Sequence, residues 1–342
     1  FTQFEEVMEP WQGALPTLFA ATEPMVKGGQ FYGPDGEKEY AGFPALSKHN
    51  TPAMHDLEIA KKLWDFAEKA TGVNFNLNRN PNTKQQTVLV TGGTGFLAVH
   101  TILQLLQQGF TVRTTLRSLD RKSEILKALK AGGITDFEKL SFFEADLLTD
   151  HGWEEAVLGC DYVLHLASPF VAEEPEDENE LIVPARDGAL RVLKAAMNAG
   201  IKRVVLTSSF AAIGYSREAK NHVFTEEDWT DENAPIQAYI KSKTIAEKAA
   251  WAFMEAAGGD MELTVINPVG IFGPIIGGIS SASLDTVVKG ILEGSIKDNP
   301  PFTFGAVDVR DVAEIHIKAM LHPGASGQRF LATSDGAMSF YD

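Results

Sequence analysis

The chain has 342 residues and a formal net charge of −16 at pH 7, which argues against nucleic acid or an anionic membrane surface as its partner. Its apolar fraction of 44 % is ordinary for a globular protein, and no apolar run approaches the length of a membrane span. The first residues lack the basic and apolar regions of a signal peptide, and the single cysteine, Cys160, rules out an internal disulfide. We therefore expect a cytoplasmic protein of one large domain or two ordinary ones.

The first unit, residues 1–80, is rich in glycine, proline and aromatic residues and carries one clear helix. Thr51 is a suitable N-cap, Pro52 fits the first helical position, and Gly72 is a natural stop. One face of this helix carries an apolar stripe formed by Leu57, Ala60, Leu63, Trp64 and Ala67. Because that stripe must be buried, we expect the segment to dock on the rest of the chain. The polar linker 81–86 would also permit a loosely attached arm.

From Thr87 onward the chain alternates between apolar strands and helices. Strands are predicted at 87–91, 110–117, 140–144, 162–167, 203–208 and 263–267, and helices at 100–108, 123–131, 153–158, 181–199 and 238–257. Strands that alternate with helices pair in parallel through right-handed crossovers. The pattern therefore predicts an α/β fold over residues 87–342, a Rossmann-type doubly wound parallel sheet, with a small substrate lobe from about residue 269 onward.

A glycine-rich turn, TGGTGFLA at 91–98, follows the first of these strands and opens a helix. Its glycines permit a tight turn and let the backbone approach a pyrophosphate, which the free N–H groups and positive dipole end of the helix attract. A purely structural turn would share this pattern. We expect a dinucleotide site whose contacts come from Gly92, Thr94, Gly95, Phe96 and Leu97.

The end of the second strand indicates which dinucleotide binds. A site for NAD carries an acidic residue about 20 residues past the glycines, which holds the ribose hydroxyls. Arg117 takes that place here, with Arg113, Arg121 and Lys122 nearby, and a guanidinium suits a 2′-phosphate. We therefore expect NADPH rather than NADH, although a solvated basic strand end is the alternative.

Three more residues lie in or just after predicted strands. Asp146 and Leu147 follow the third strand, where a loop would meet the adenine. His165 lies inside the fourth strand, and we expect a core histidine there rather than a catalyst. The motifs require no metal.

Tyr239 and Lys243 stand four residues apart in a predicted helix, so their side chains share one face. A lysine ammonium favours the phenolate, so the sequence predicts a lowered pKa for Tyr239 and proton exchange near neutral pH. An exposed helix pair of no chemical importance would have the same spacing. Together with the dinucleotide turn and the pair Ser208 and Ser209, the spacing indicates hydride transfer to or from a carbonyl or alcohol.

Six motifs carry a resemblance to the extended short-chain dehydrogenase/reductases. They are TGGTGFLA at 91, ADLL at 145, CDYVLHLASPF at 160, VVLTSSFAAI at 204, YIKSKTIAE at 239 and INPVGIFGP at 266. The subgroup that the chain resembles most is that of dihydroflavonol reductase and cinnamoyl-CoA reductase, particularly its microbial aldehyde reductases. The resemblance implies an NADPH-dependent reductase that acts on small aldehydes or ketones.

The resemblance also implies roles for individual residues. Tyr239 would protonate the carbonyl oxygen, Lys243 would lower the pKa of Tyr239 and bind the nicotinamide ribose, and Ser209 would orient the substrate. The residues implied to lie against the cofactor are Ala167, Pro268 and Val269.

Departures from the family pattern bear on the substrate. Gly214 stands where dihydroflavonol reductases place the asparagine that reads the flavonoid, and the Asn-Trp-Tyr-Cys-Tyr run of cinnamoyl-CoA reductases is missing. Relatives continue with more of the substrate lobe, so we expect a truncated lobe here. An apolar pocket, or alternatively part of the core, is suggested by Phe170, Phe210, Ile213 and Phe272.

Two other functions stay open on the sequence. A sugar or sterol dehydrogenase or epimerase would use the same groups, and a catalytically silent dinucleotide sensor would bind the cofactor without turnover. A sensor has no need of a proton donor, which Tyr239 would be.

Residues 1–75 resemble a different protein, the C-terminal tail of a classical short-chain dehydrogenase/reductase. GALPTLFAAT at 13 and GGQFYGPDG at 28 carry this likeness. A larger two-reductase protein, an unusual gene junction or an assembly error would each give such a chain.

Overall fold

The computed structural model describes residues 32–35, 43–48, 58, 62, 85–169, 175–217, 222–281, 284–295 and 303–339. The chain divides into two compact units, Phe1–Thr83 and Lys84–Asp342, and this boundary falls within the linker expected at 81–86. In the first unit, β1 (Tyr32–Pro34) pairs antiparallel with β2 (Pro44–Leu46). The helix predicted after Thr51 lies outside the described residues except for Glu58 and Lys62, which are helical. Its apolar stripe and its docking stay predictions.

The strands of the second unit are β3 (Thr87–Val90), β4 (Thr111–Leu116), β5 (Leu140–Glu144), β6 (Tyr162–His165), β7 (Arg203–Thr207), β8 (Glu262–Pro268), β9 (Gly270–Phe272), β10 (Thr303–Phe304), β11 (Ala306–Asp308), β12 (Arg329–Ala332) and β13 (Met338–Ser339). Seven of them form one sheet in the order β5-β4-β3-β6-β7-β8-β12, and every neighbouring pair is parallel. The predicted doubly wound α/β fold is confirmed. The strand order reverses between β3 and β6, which opens a crevice at the carboxyl ends of the strands.

The helices of the described part are α1 (Phe96–Gln107), α2 (Lys122–Ala131), α3 (Trp153–Val157), α4 (Asn179–Asn198), α5 (Ala238–Ala257), α6 (Lys289–Leu292) and α7 (Val309–Leu321). They cover both faces of the sheet because side chains alternate along each strand. Val88 and Val90 of β3 face a core that contains Ile102 of α1, whereas Leu89 faces a second core that contains Val192 of α4. The sheet thus separates two apolar cores, and its carboxyl edge is left for the site.

Several element boundaries differ from the sequence prediction. The first helix begins at Phe96 rather than at residue 100, because extended Gly95 (φ −76°, ψ 150°) is its N-cap. β12 (Arg329–Ala332), the edge strand next to β8 in the seven-stranded sheet, was not predicted. The helix Ala238–Ala257 has the predicted bounds. The six strands that were predicted begin and end within two residues of their predicted limits, whereas the four short strands β9, β10, β11 and β13 and the helix α7 were not predicted.

The described residues after 269, where the substrate lobe is expected, hold two short strand pairs. β9 pairs in parallel with β11, and β10 pairs antiparallel with β13.

Candidate active site

The glycine-rich turn leaves little room for side chains at three positions. A Cβ atom at Gly92, where φ is +71°, would lie 3.0 Å from the Cβ of Ala167. At Gly93 it would lie 2.4 Å from the Thr114 hydroxyl oxygen, and at Gly95 it would lie 3.2 Å from the carbonyl oxygen of Gly92. Gly93 was not among the predicted contact residues, yet it is the most tightly enclosed of the three. Because the turn is bare backbone, a phosphate can approach it closely.

The amino end of α1 fits an anion as well. Its N-cap, Gly95, supplies no side-chain cap, and the first turn carries no acidic residue. The first N–H groups of a helix lack intrahelical partners, and the helix dipole makes this end positive. The residues present therefore fit the pyrophosphate of a dinucleotide.

Thr91 and His165 fix the two strands on either side of the crevice. The Thr91 hydroxyl oxygen accepts hydrogen bonds from the backbone N–H groups of Leu166 (3.0 Å) and Ala167 (2.9 Å). Its own proton then goes to Nδ1 of His165, 2.9 Å away, so the neutral ring carries its proton on Nε2. Burial lowers the pKa of His165 to about 3. His165 is thus a buried neutral residue, as expected, and the Thr91 hydroxyl that it accepts from holds Ala167 beside Gly92.

The basic residues around the end of β4 differ in what they already bind. Arg121 forms a double hydrogen bond with Glu124, at 2.9 and 2.7 Å. Arg113 donates to the carbonyl oxygens of Glu155 and Leu158 and lies over the ring of Phe143. Arg117 is exposed, and no hydrogen bond or ion pair to another described residue engages it. Of the three arginines, Arg117 therefore has its guanidinium available for a phosphate.

The remaining predicted cofactor residues follow the carboxyl ends of other strands. Asp146 accepts a hydrogen bond from the N–H of Leu148 (3.0 Å), and the carbonyl oxygen of Leu147 accepts one from Arg191 (2.7 Å). Pro268 ends β8, and the N–H of Val269 bonds to Ala332 at 3.1 Å. Carboxyl ends of parallel strands share one edge of a sheet, so the predicted set comes together there.

Ser209 and Tyr239 meet although 30 positions separate them. Ser209 follows β7, and its hydroxyl is hydrogen-bonded to the Tyr239 phenol, which projects from the first turn of α5. Burial raises the pKa of Tyr239 above its ordinary value, while the Ser209 hydrogen bond lowers it by less. The predicted lowering of the Tyr239 pKa is therefore wrong for this structure. Desolvation raises this pKa by more than the Ser209 hydrogen bond lowers it.

Lys243 turns partly away from the phenol. Its ammonium donates a 2.8 Å hydrogen bond to the hydroxyl of Ser168 and lies 5.9 Å from the centre of the Tyr239 ring. Lys243 is buried, and burial lowers its pKa to about 8, while the charge of Glu247 raises it. At neutral pH the ammonium form still predominates.

Two residues of this site escaped the sequence analysis. Ser168 receives the Lys243 ammonium, and Glu247 is a buried carboxylate one turn further along α5. The signal for Glu247 was present in the sequence, because Tyr239, Lys243 and Glu247 recur at four-residue spacing. No comparable spacing marks Ser168, which lies 75 positions from its partner.

An aromatic cluster lies next to Ser209. The ring of Phe210 meets those of Tyr215 and Phe224 edge to face, with centroids 5.4 and 5.3 Å apart. A Cβ at Gly214 would lie 2.5 Å from Phe210, so no side chain fits there while these rings hold their places.

Two other residues suggested for the apolar pocket, Ile213 and Phe272, pack outside this aromatic cluster. Ile213 is fully buried and belongs to the core, and Phe272 packs against Phe304, with ring centroids 6.0 Å apart. Phe170 lies outside the described residues.

Within the described part of the chain, no helix is both long and apolar enough to span a bilayer. Nor do the described residues bring together three histidine, cysteine or acidic side chains in a way that could hold a metal ion.

Comparison of the chain with known proteins identifies its family. The model of the NAD dependent epimerase/dehydratase family matches residues 88–331. The chain therefore belongs to this family, the extended short-chain dehydrogenase/reductases.

Individual relatives are similar over most of their length. The chain is 35 % identical to a cinnamoyl-CoA reductase of Medicago truncatula, over 71 % of this chain and 75 % of that protein. It is also 35 % identical to a putative NADPH-dependent methylglyoxal reductase of Candida albicans, over 72 % of this chain and 77 % of that protein.

A solved structure supports the same relationship. The structure of Gre2 from Candida albicans in complex with NADPH is 34 % identical and superposes with a TM-score of 0.63, over 74 % of this chain and 79 % of that one. The homologues thus include NADPH-dependent reductases that act on carbonyl groups.

Proposed function

We propose that this protein is an NADPH-dependent reductase of aldehydes or ketones, with Tyr239 as the proton donor. The observation that carries the proposal is the hydrogen bond between Ser209 and Tyr239, formed at the sheet edge that also carries the glycine turn and Lys243. A dinucleotide sensor would need the turn but not a half-buried serine–tyrosine pair beside it.

The residues of the chain supply proton transfer and orientation. When bound, the reduced nicotinamide supplies the hydride. Ser209 and Tyr239 each offer a hydroxyl hydrogen bond to the carbonyl oxygen, which orients the substrate and stabilises the negative charge that develops there. Because burial raises its pKa, Tyr239 is protonated at neutral pH and holds the proton that the oxygen requires. The Lys243 ammonium then stabilises the phenolate that remains.

The cofactor contacts belong to the same proposal. Gly92, Thr94, Gly95, Phe96 and Leu97 would hold the pyrophosphate, and Arg117 would bind the 2′-phosphate. Asp146 and Leu147 would lie beside the adenine, while Ala167, Lys243, Pro268 and Val269 would hold the nicotinamide end. Support comes from the bare turn, the uncapped helix and the availability of Arg117.

The substrate class follows from the relatives and from the local surface. Relatives named for methylglyoxal and cinnamoyl-CoA reduction favour a small carbonyl compound with an apolar substituent. The aromatic cluster beside Ser209 suits such a substituent. We also propose a cytoplasmic location, which the single cysteine fits, and from the net charge of −16 we propose that neither nucleic acid nor a membrane is a partner.

A substrate panel tests the proposal directly. The purified chain is offered NADPH or NADH with methylglyoxal, isovaleraldehyde, cinnamaldehyde and a nucleotide sugar, and cofactor oxidation is followed by absorbance. We expect aldehyde-dependent oxidation of NADPH. Conversion of the nucleotide sugar without net cofactor consumption would favour an epimerase. Cofactor binding without turnover on any compound would favour a sensor.

A further inference from the structure

Glu247 carries a carboxylate that is buried beside the residues of the candidate active site, and its burial has to be compensated by other groups. It lies in α5 one turn after Lys243 and two turns after Tyr239, and only 1 % of its surface is exposed. An ionised carboxylate is costly to bury unless charges and hydrogen bonds compensate it.

Four donors surround this carboxylate. One oxygen accepts hydrogen bonds from the hydroxyl of Ser208 (2.5 Å) and from Nδ2 of Asn267 (2.7 Å). The other accepts from Nε of Arg329 (2.6 Å) and from the indole N–H of Trp251 (3.3 Å). Three of these groups can only donate, so both carboxylate oxygens act as acceptors and the group carries its negative charge.

The hydrogen bonds of Glu247 lead directly to the catalytic serine. Ser208 is the chain neighbour of Ser209, and Nδ2 of Asn267 also donates to the carbonyl oxygen of Ser209, at 3.2 Å. Rotation of the Ser209 main chain would break one of these bonds. The carboxylate thus fixes the backbone from which the Ser209 hydroxyl reaches Tyr239.

Glu247 also faces Lys243 across a small cavity, and its charge raises the pKa of Lys243. Both side chains line a space of about 20 Å³, together with His165, Ser168 and Ser208, which is room for one water molecule. The low dielectric of such surroundings strengthens the attraction between the carboxylate and the ammonium.

We propose that Glu247 is a positioning residue of this site, whose carboxylate keeps Lys243 protonated and holds the backbone of Ser209. The inference rests on the proposed function, in which Lys243 acts as a cation.

The other groups that face Lys243 do not replace Glu247. His165 from β6 is neutral, because burial lowers its pKa to about 3, and Tyr239 is neutral as well. Arg329 from β12 is a cation on the opposite side of Glu247. Helix α4 contributes Ala185 and Ala189 to the cavity.

No charged side chain of α4 lines this cavity, and in the first half of the helix Arg186 pairs with Asp187 while Glu178 at its amino end pairs with Lys241. Among the described residues, Glu247 is therefore the anion that lines the cavity with Lys243.

The test measures the pKa of Lys243 itself, in the full chain without cofactor. Lysine side-chain resonances are followed against pH by NMR, and the Lys243 signal is assigned by its loss in Lys243→Arg. In Glu247→Gln we expect this pKa to fall by about one unit or more, because a counter-charge is lost and the Arg329 charge is left uncompensated. In Arg329→Gln we expect it to rise, because Glu247 then acts on Lys243 alone.

Shifts of the Lys243 pKa in opposite directions in Glu247→Gln and Arg329→Gln distinguish an electrostatic role of Glu247 from damage to the fold. A purely structural effect would shift both variants in the same direction or neither. Should Glu247→Gln fail to fold, Glu247→Asp keeps the charge, and Arg329→Gln still tests the predicted rise. A Lys243 pKa that is unchanged in Glu247→Gln, or that does not rise in Arg329→Gln, would overturn the proposal.

The pH profile of kcat/KM gives a second readout. Its alkaline limb should move to lower pH in Glu247→Gln and to higher pH in Arg329→Gln. The matched control is Glu262→Gln, which breaks another ion pair of a buried arginine, with Arg203, at the opposite end of β7 and β8. It should leave the profile unchanged. If the NMR shifts occur but the wild-type chain reduces no carbonyl compound, the proposed function fails while the charge coupling stands.

Discussion

Burial raises the pKa of the Tyr239 phenol and lowers that of the Lys243 ammonium, so desolvation pushes both groups toward their neutral forms. The outcome at neutral pH differs between them. Tyr239 keeps its proton, and Lys243, with a pKa of about 8, is still mainly charged. A protonated phenol beside an ammonium is the state that a proton donor needs before reduction begins.

Arg117 gives the sharpest test of cofactor choice at the level of one residue. Replacing Arg117 by alanine should remove a charge-assisted contact to the 2′-phosphate worth about 1.5–3 kcal/mol, which is roughly a 10- to 150-fold loss of NADPH affinity. NADH affinity should barely change, because NADH lacks that phosphate. Isothermal titration with both cofactors measures the difference.

Arg121→Ala is the matched control for this prediction. It removes the same charge a few residues away, but the Arg121 guanidinium is engaged by Glu124. Both cofactors should bind this variant normally. Equal weakening of NADPH and NADH by Arg117→Ala would remove the phosphate assignment.

At the scale of elements, the strand–turn–helix unit from β3 to α1 depends on Gly93. A methyl group there would meet the Thr114 hydroxyl at 2.4 Å and the end of the Ile125 side chain at 2.9 Å. The Thr114 hydroxyl is itself held by the carbonyl oxygen of Val90, at 2.8 Å. Gly93→Ala should therefore shift the turn, lower the free energy of unfolding by about 1–3 kcal/mol and weaken dinucleotide binding.

Gly159→Ala separates the effect of the turn from a general cost of replacing glycine. Gly159 has a φ of +77° and open space around its Cβ position, so its replacement should cost about 1–2 kcal/mol from backbone strain alone. Urea denaturation and cofactor titration of both variants provide the comparison. Normal dinucleotide affinity in Gly93→Ala would contradict the account of the turn.

How far the sequence predicts these elements depends on the range of the interactions that define them. β3 to β8 and α5 are marked by local apolar runs and helical spacing, so they were found. Arg329–Ala332 has only four residues and follows a loop, and its strand character comes from pairing with β8. The Tyr239–Lys243 spacing was visible, but the depth of burial that sets the direction of their pKa shifts was not. The partnership of Lys243 with Ser168 is likewise a tertiary contact.

At the scale of the whole molecule, His165 and His316, two of the three buried histidines among the described residues, make stability depend on pH. His316 donates from Nδ1 to the carbonyl oxygen of Val312 and accepts at Nε2 from the Thr207 hydroxyl, both at 2.7 Å. Burial lowers its pKa to about 4 and that of His165 to about 3, against an ordinary value of 6.5. Below pH 6.5 these histidines bind protons in the unfolded chain but stay neutral in the folded chain. The free energy of unfolding therefore decreases as pH falls from 6.5 toward 4.

Each histidine should contribute up to about 1.4 kcal/mol per pH unit to this loss. Urea unfolding at a series of pH values measures the slope. His316→Gln should reduce the slope between about pH 6 and pH 5, whatever its effect on stability at neutral pH. Replacement of the exposed His151 by glutamine should leave the slope as it is. An unchanged slope in His316→Gln would show that this histidine does not stay neutral in the folded chain.

In the proposed reaction the Tyr239 phenol gives its proton to a substrate carbonyl. The variant Tyr239→Phe tests this role most directly. This variant keeps the ring and loses only the hydroxyl. The measurement is aldehyde-dependent NADPH oxidation together with NADPH affinity, with Tyr162→Phe in β6 as the matched control that loses a phenol away from the crevice. We predict a fall in kcat of about 100- to 10,000-fold for Tyr239→Phe, with NADPH affinity and thermal stability nearly unchanged and with normal turnover in the control. Turnover close to wild type in Tyr239→Phe, or an equal loss of turnover and cofactor affinity, would contradict the account.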